Sequence, residues 1–112
     1  MLPYKNRLKS DFSKLFKGKD KFINPYFIIF YQENGRDFSR FGFVIRKKLG
    51  KAVLRNKVKR RFRFVIRENL DKIESGFDFI FLINHNLSNW KDISYEDIKK
   101  NILESLKAIN KI

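Results

Sequence analysis

A chain of 112 residues with 26 Lys and Arg against 12 Asp and Glu carries a formal net charge of +14, enough length for one modest core and not for two. Cysteine is absent, which excludes a disulfide framework, a thiolate metal site and a cysteine nucleophile. No N-terminal apolar h-region is present, and no apolar run approaches the ~18 residues of a membrane span, so the expectation is a soluble, cytoplasmic single domain over residues 1–112.

The elements are read in chain order from periodicity and breakers. Ser10 or Asp11 caps a short helix through Lys17, with Phe12, Leu15 and Phe16 at i, i+3 and i+4 and Gly18 as its stop. Phe22-Ile23 gives a short edge strand and, after Pro25, Tyr26 to Tyr31 an aromatic and β-branched strand. Asn34-Gly35 is a turn signal before the alternating run Ser39 to Arg46, and the two runs are expected to pair as an antiparallel hairpin. From about Lys51 to about Asn69 the period becomes helical, with Leu54, Val58, Phe62, Val65 and Ile66 on one side and Asn56, Arg60, Arg63 and Arg67 on the other, Lys59 at its edge. Ser75-Gly76 breaks the chain before the strand Phe77 to Ile83, and Asn84-His85-Asn86 opens a loop. Ser94 precedes a final amphipathic helix with the stripe Ile98, Ile102, Leu103, Leu106 and Ile109, and Asp97 makes a partial capping box. The fold class is α+β, with about three helices on one small sheet.

Charge is not spread evenly. Residues 46–67 hold eleven Lys or Arg and no carboxylate, while residues 1–45 sum to +5 and residues 68–112 to −2. A solvated charged face normally mixes signs and gains i,i+4 support, and this one has none. The apolar residues threaded through it, together with thirteen Phe in the chain, argue for a folded element rather than a disordered tail. Like charges held this densely call for a polyanion, and nucleic acid fits first. A membrane surface is the rival, but an interfacial helix keeps its apolar face for lipid, whereas this one has a sheet of Phe and Ile to cover it. Phe12, Phe16, Phe30 and Tyr31 could stack single-stranded bases or fill the core. No enzyme site of the protein's own is visible: His85 is a lone loop residue, the carboxylates form no metal or acid/base set, and the glycines make no phosphate loop.

At Lys47-Lys48-x-Gly50-x-Ala52-Val53-x-Arg55-Asn56-x-x-Lys59-Arg60-x-x-Arg63 the sequence resembles the bacterial ribonuclease P protein subunit, and the early Asp11-Phe12-x-x-x-Phe16 segment, the aromatic strand and Gly42 extend the resemblance over nearly the whole chain. The resemblance implies an α-β-β-β-α-β-α order with a mixed sheet and a left-handed βαβ crossover, ribosomal protein S5 domain 2-like. It implies a protein that is not the catalyst: the partner ribonuclease P RNA would bind Mg²⁺ and cleave the 5′ leader from precursor tRNA, with no metal assigned to the protein. The family's Arg-Asn-Arg signature maps onto Arg55, Asn56 and Lys57, so a point charge stands where the family has a bidentate fork. RNA contacts are expected from Arg46, Lys47, Lys48, Lys51, Arg55, Asn56, Lys57, Lys59, Arg60, Arg63 and Arg67. By the same resemblance Phe12, Phe16 and Phe30 line a leader cleft, with Asn56, Lys59, Arg60 and Arg63 bordering the backbone path; the free protein is expected to be a monomer. A structural RNA-binding protein of the ribosomal type is the alternative, and a duplex-DNA binder with Asn56 and Arg60 reading bases is a third.

Overall fold

The structure, a computed structural model, describes residues 2–8, 20–83 and 94–112. The helix expected over residues 10–17 and the loop holding His85 lie outside the described residues. Four strands, β1 (Lys21–Ile23), β2 (Phe27–Glu33), β3 (Arg40–Ile45) and β4 (Phe77–Ile83), form one sheet in the order β1-β2-β4-β3, with helices α1 (Ala52–Glu68) and α2 (Tyr95–Ala108). The sheet is mixed: β1/β2 and β2/β4 are antiparallel, whereas β3 and β4 run parallel and are joined through α1. No described helix is long and apolar enough to cross a membrane.

The expected hairpin between β2 and β3 does not form, because β4 sits between them. Alternation along a strand fixes its faces but not its neighbour. Phe79, Ile80, Phe81 and Ile83 of β4 are buried on both faces of the sheet, so β4 takes a central place and β3 an outer one. The Asn34-Gly35 signal does mark a bend, with Gly35 at φ 70. Its Asn34, however, ties the chain to β4. Asn34 N–H donates to the Gly76 carbonyl at 2.9 Å, and its side-chain amide donates to Asp78 Oδ1 at 2.9 Å.

The core lies between one sheet face and the two helices. Odd-numbered residues of β2, β3 and β4 point to that face: Phe27, Ile29, Phe41, Phe43, Phe79 and Phe81 are buried, and they meet Val58, Phe62, Val65 and Ile66 of α1 and Ile98, Ile102 and Leu106 of α2. Phe62 is the keystone, with ring centroids 5.8 Å from Phe27, 5.8 Å from Phe43 and 6.0 Å from Phe81, all edge-on. In α2 the expected stripe holds except that Leu103 is only half-buried and outside the core cluster. Ser105 is buried instead, donating to the Asn101 carbonyl at 2.7 Å and accepting from Asn24 Nδ2 at 3.2 Å. Ser94 caps α2 as expected, accepting from Asp97 N–H at 3.2 Å. On the opposite sheet face Phe30 and Ile80 form a second cluster, with Leu8, Ile28, Val44 and Leu82 packed around them.

Candidate nucleic-acid interface

The basic run is folded into three successive pieces. Arg46 precedes a 3₁₀ turn, Lys47–Leu49, and Lys51 then stands at the N-cap of α1, with no acidic residue in the first turn. The Arg55 Nε donates back to the Gly50 carbonyl at 3.1 Å, which fastens that turn to the helix. Three lysines at the positive end of a helix dipole raise the local potential rather than offset it. Arg46, Lys47, Lys48 and Lys51 are all exposed there, and Arg55 is half-buried.

Along α1 the charged residues separate according to where the helix meets the sheet. Asn56, Lys57, Arg60 and Arg67 are exposed, but Lys59 and Arg63 are half-buried because they lean over β3. The wheel set Arg63 opposite the core; the structure brings it to the flank, its guanidinium 5.9 Å from the centroid of the Phe43 ring. A concavity of about 240 Å³ opens there, lined by Lys59, Arg63, Arg7, Leu8 and the β3 segment Phe41 to Phe43. A larger one, about 400 Å³, shares Arg7 and Arg63 with it and adds Asn56, Arg60 and Phe64. Neither is lined by a carboxylate among the described residues. Lys57 and Arg67 line neither.

Arg7 was not among the residues expected from sequence. The N-terminal segment delivers it: Leu2 is buried, Asn6 Nδ2 donates to the Ser39 carbonyl at 2.7 Å, and Leu8 N–H donates to the Phe41 carbonyl at 2.9 Å, so that Arg7 forms a parallel bridge with Phe41 along the outer side of β3. Its Nε donates to the Leu2 carbonyl at 2.9 Å. A single Arg seven residues into a chain has no periodic context that would mark it. Phe64 was also missed, although the same wheel places it on the charged side of α1.

The electrostatic result is strain of one sign. Burial, then the nearby Arg63 and Arg55 charges, push the Lys59 ammonium below its ordinary pKa. Burial and then Arg7 do the same to the Arg63 guanidinium. Of the proposed leader-cleft residues, Phe12 and Phe16 lie outside the described residues. Phe30 is 8% exposed and points to the sheet face opposite α1, while its neighbour Tyr31 packs on the α1 side near Phe79.

A family model described as Ribonuclease P matches residues 2–110. The chain belongs to the ribonuclease P protein family. Among its relatives, the ribonuclease P protein component of Alkaliphilus oremlandii (strain OhILAs) is 39% identical over 109 residues, covering 96% of this chain and 93% of that one. That of Thermotoga sp. (strain RQ2) is 38% identical over 104 residues, covering 92% and 89%. In three dimensions the ribonuclease P protein from Thermotoga maritima superposes with a TM-score of 0.84 at 36% identity, covering 93% of this chain and 97% of that chain. The Staphylococcus aureus protein gives a TM-score of 0.79 at 29% identity, covering 94% and 95%. The ribonuclease P proteins thus share this small α+β architecture as well as the sequence pattern.

Proposed function

We propose that this ribonuclease P protein binds ribonuclease P RNA and the 5′ leader of precursor tRNA, and assists the endonucleolytic removal of that leader in the cytoplasm. The observation that carries the reading is the convergence of Arg7, Arg60, Lys59 and Arg63 around two adjoining concavities without a lining carboxylate among the described residues. Such a surface is costly alone and relieved by phosphate, since each neutralised phosphate releases condensed counterions. The exposed cations from Arg46 to Lys51, at the N-terminal end of the same helix, add to the basic surface. The protein's part is to screen repulsion between two polyanions and to position them. The RNA does the cutting. Mg²⁺ is assigned to the RNA. Phe12 and Phe16 are assigned to the leader, because base stacking tolerates any sequence, whereas Phe30, buried against Ile80, offers no ring face to a base.

The test is reconstitution. The protein is mixed with a bacterial ribonuclease P RNA at low Mg²⁺, and cleavage of precursor tRNA is followed against RNA alone. A gain in cleavage, and tighter binding of precursor tRNA than of the same tRNA without its leader, is expected. No gain in either overturns the proposal, and equal affinity for leader-bearing and leaderless tRNA overturns the leader assignment.

A further inference from the structure

Eleven of the thirteen Phe lie in the described residues, and of these only Phe64 is exposed, at 43%. It sits roughly 145° around α1 from the centre of the buried stripe, on the side that carries Arg60 and Asn56. Its ring meets Tyr95 of α2 in a T-shaped contact with centroids 5.4 Å apart. Such a pair engages at most one face of either ring. The ring also borders the 400 Å³ concavity with Arg7, Asn56, Arg60 and Arg63. An apolar wall, one side-chain amide with a donor and an acceptor, and three guanidinium groups are the set of contacts that a single nucleotide satisfies.

We infer that this concavity takes one unpaired nucleotide of the bound RNA, its base against Phe64, its polar edge on Asn56 and its phosphate among Arg7, Arg60 and Arg63. The inference rests on the RNA-binding reading above and adds a site separate from Phe30, which lies on the other face of the sheet. Charge complementarity selects the occupant: an apolar peptide would leave three cations unneutralised. Were Phe64 only a packing contact between α1 and α2, a leucine would serve as well.

The experiment uses the full chain with two probes, ribonuclease P RNA and a pentauridylate carrying 5-iodouridine at its centre. Irradiation of the wild-type complex is expected to cross-link the iodinated base to Phe64, located by mass spectrometry of the digested protein. Phe64→Leu should lose the cross-link and bind the pentamer roughly ten-fold more weakly with the same salt dependence, while Phe64→Trp keeps both. Arg7→Gln should weaken binding and lower the salt slope by about 1. A Phe64→Leu variant that binds like the wild type, or a wild-type cross-link confined to other residues, overturns the site. Should Phe64→Leu fail to fold, the wild-type cross-link and Arg7→Gln still decide. Wild-type protein that binds ribonuclease P RNA but not the pentamer refutes this site alone; binding to neither refutes the RNA reading as well.

Discussion

Asp78→Ala tests how β3, which floors the smaller concavity, is held to the sheet. The Asp78 side chain is 7% exposed and its carboxylate accepts three hydrogen bonds, from Arg40 Nε at 2.8 Å, Arg40 Nη2 at 2.7 Å and Asn34 Nδ2 at 2.9 Å. Arg40 and Asp78 are partners in the parallel β3/β4 register, so the bidentate pair clamps the two strands at their first rung. That bond, opposed in part by burial, raises the Arg40 guanidinium above its ordinary pKa. Removing the carboxylate strands both donors. Breaking a fully buried pair costs about 3–5 kcal/mol, but the Arg40 side chain is 27% exposed and can turn to water, so we expect about 2–3 kcal/mol. For a domain of this size that lowers Tm by about 10–20 °C, read by circular dichroism during heating and checked by urea unfolding. A loss below about 1 kcal/mol would refute the reasoning, because it would mean that desolvating the carboxylate cancels its three bonds.

Lys59→Met and Arg63→Met should each weaken binding to ribonuclease P RNA and lower its salt slope by roughly 1, without destabilising the free protein; an unchanged slope would show that neither meets phosphate. Because the folded pKa of Lys59 is depressed, its penalty is present at neutral pH and is relieved as pH rises through that pKa toward the ordinary lysine value. Urea midpoints of Lys59→Met should therefore rise less than the wild type's on going to alkaline pH. Ser94→Ala removes the cap of α2 and should cost about 1 kcal/mol in the same unfolding assay. Gly76→Ala should cost about 1–3 kcal/mol, since its φ of 87 is strained for any Cβ and that atom would lie 3.2 Å from the Arg36 carbonyl oxygen.

The helix that carries the site was legible because its two periodic signals agree: Val58, Phe62, Val65 and Ile66 recur on one side and cations on the other, and the observed ends fall one residue inside the expected ones. Strand positions were legible for the same reason. Strand partners were not, since nothing in the alternation of Arg40 to Ile45 says that its neighbour arrives more than thirty residues later. The site was half-visible on this account. Asn56, Lys59, Arg60 and Arg63 share one helix and can be read together, whereas Arg7 joins them only through backbone bonds to Phe41 and side-chain anchoring at Ser39. Phe64 was open to a reading that asked which apolar residues fall on the wrong side of the wheel.

The central position of β4 also governs the route by which the chain reaches its native form. Among the described strands β4 is the last to be synthesised, yet it separates β2 from β3 and pairs with both. While residues 77–83 are still missing, β3 has no strand to pair with, and α1 can meet Phe27 and Phe43 but not the Phe79 and Phe81 that lie between them. The sheet cannot zip up as a meander from the N-terminus. It must wait for one late segment to close two non-local ladders at once, the slow class of contact in folding. A nascent chain halted before Phe77 should thus be a sticky, uncommitted intermediate, and one released after Ile83 can complete the sheet in a single cooperative step.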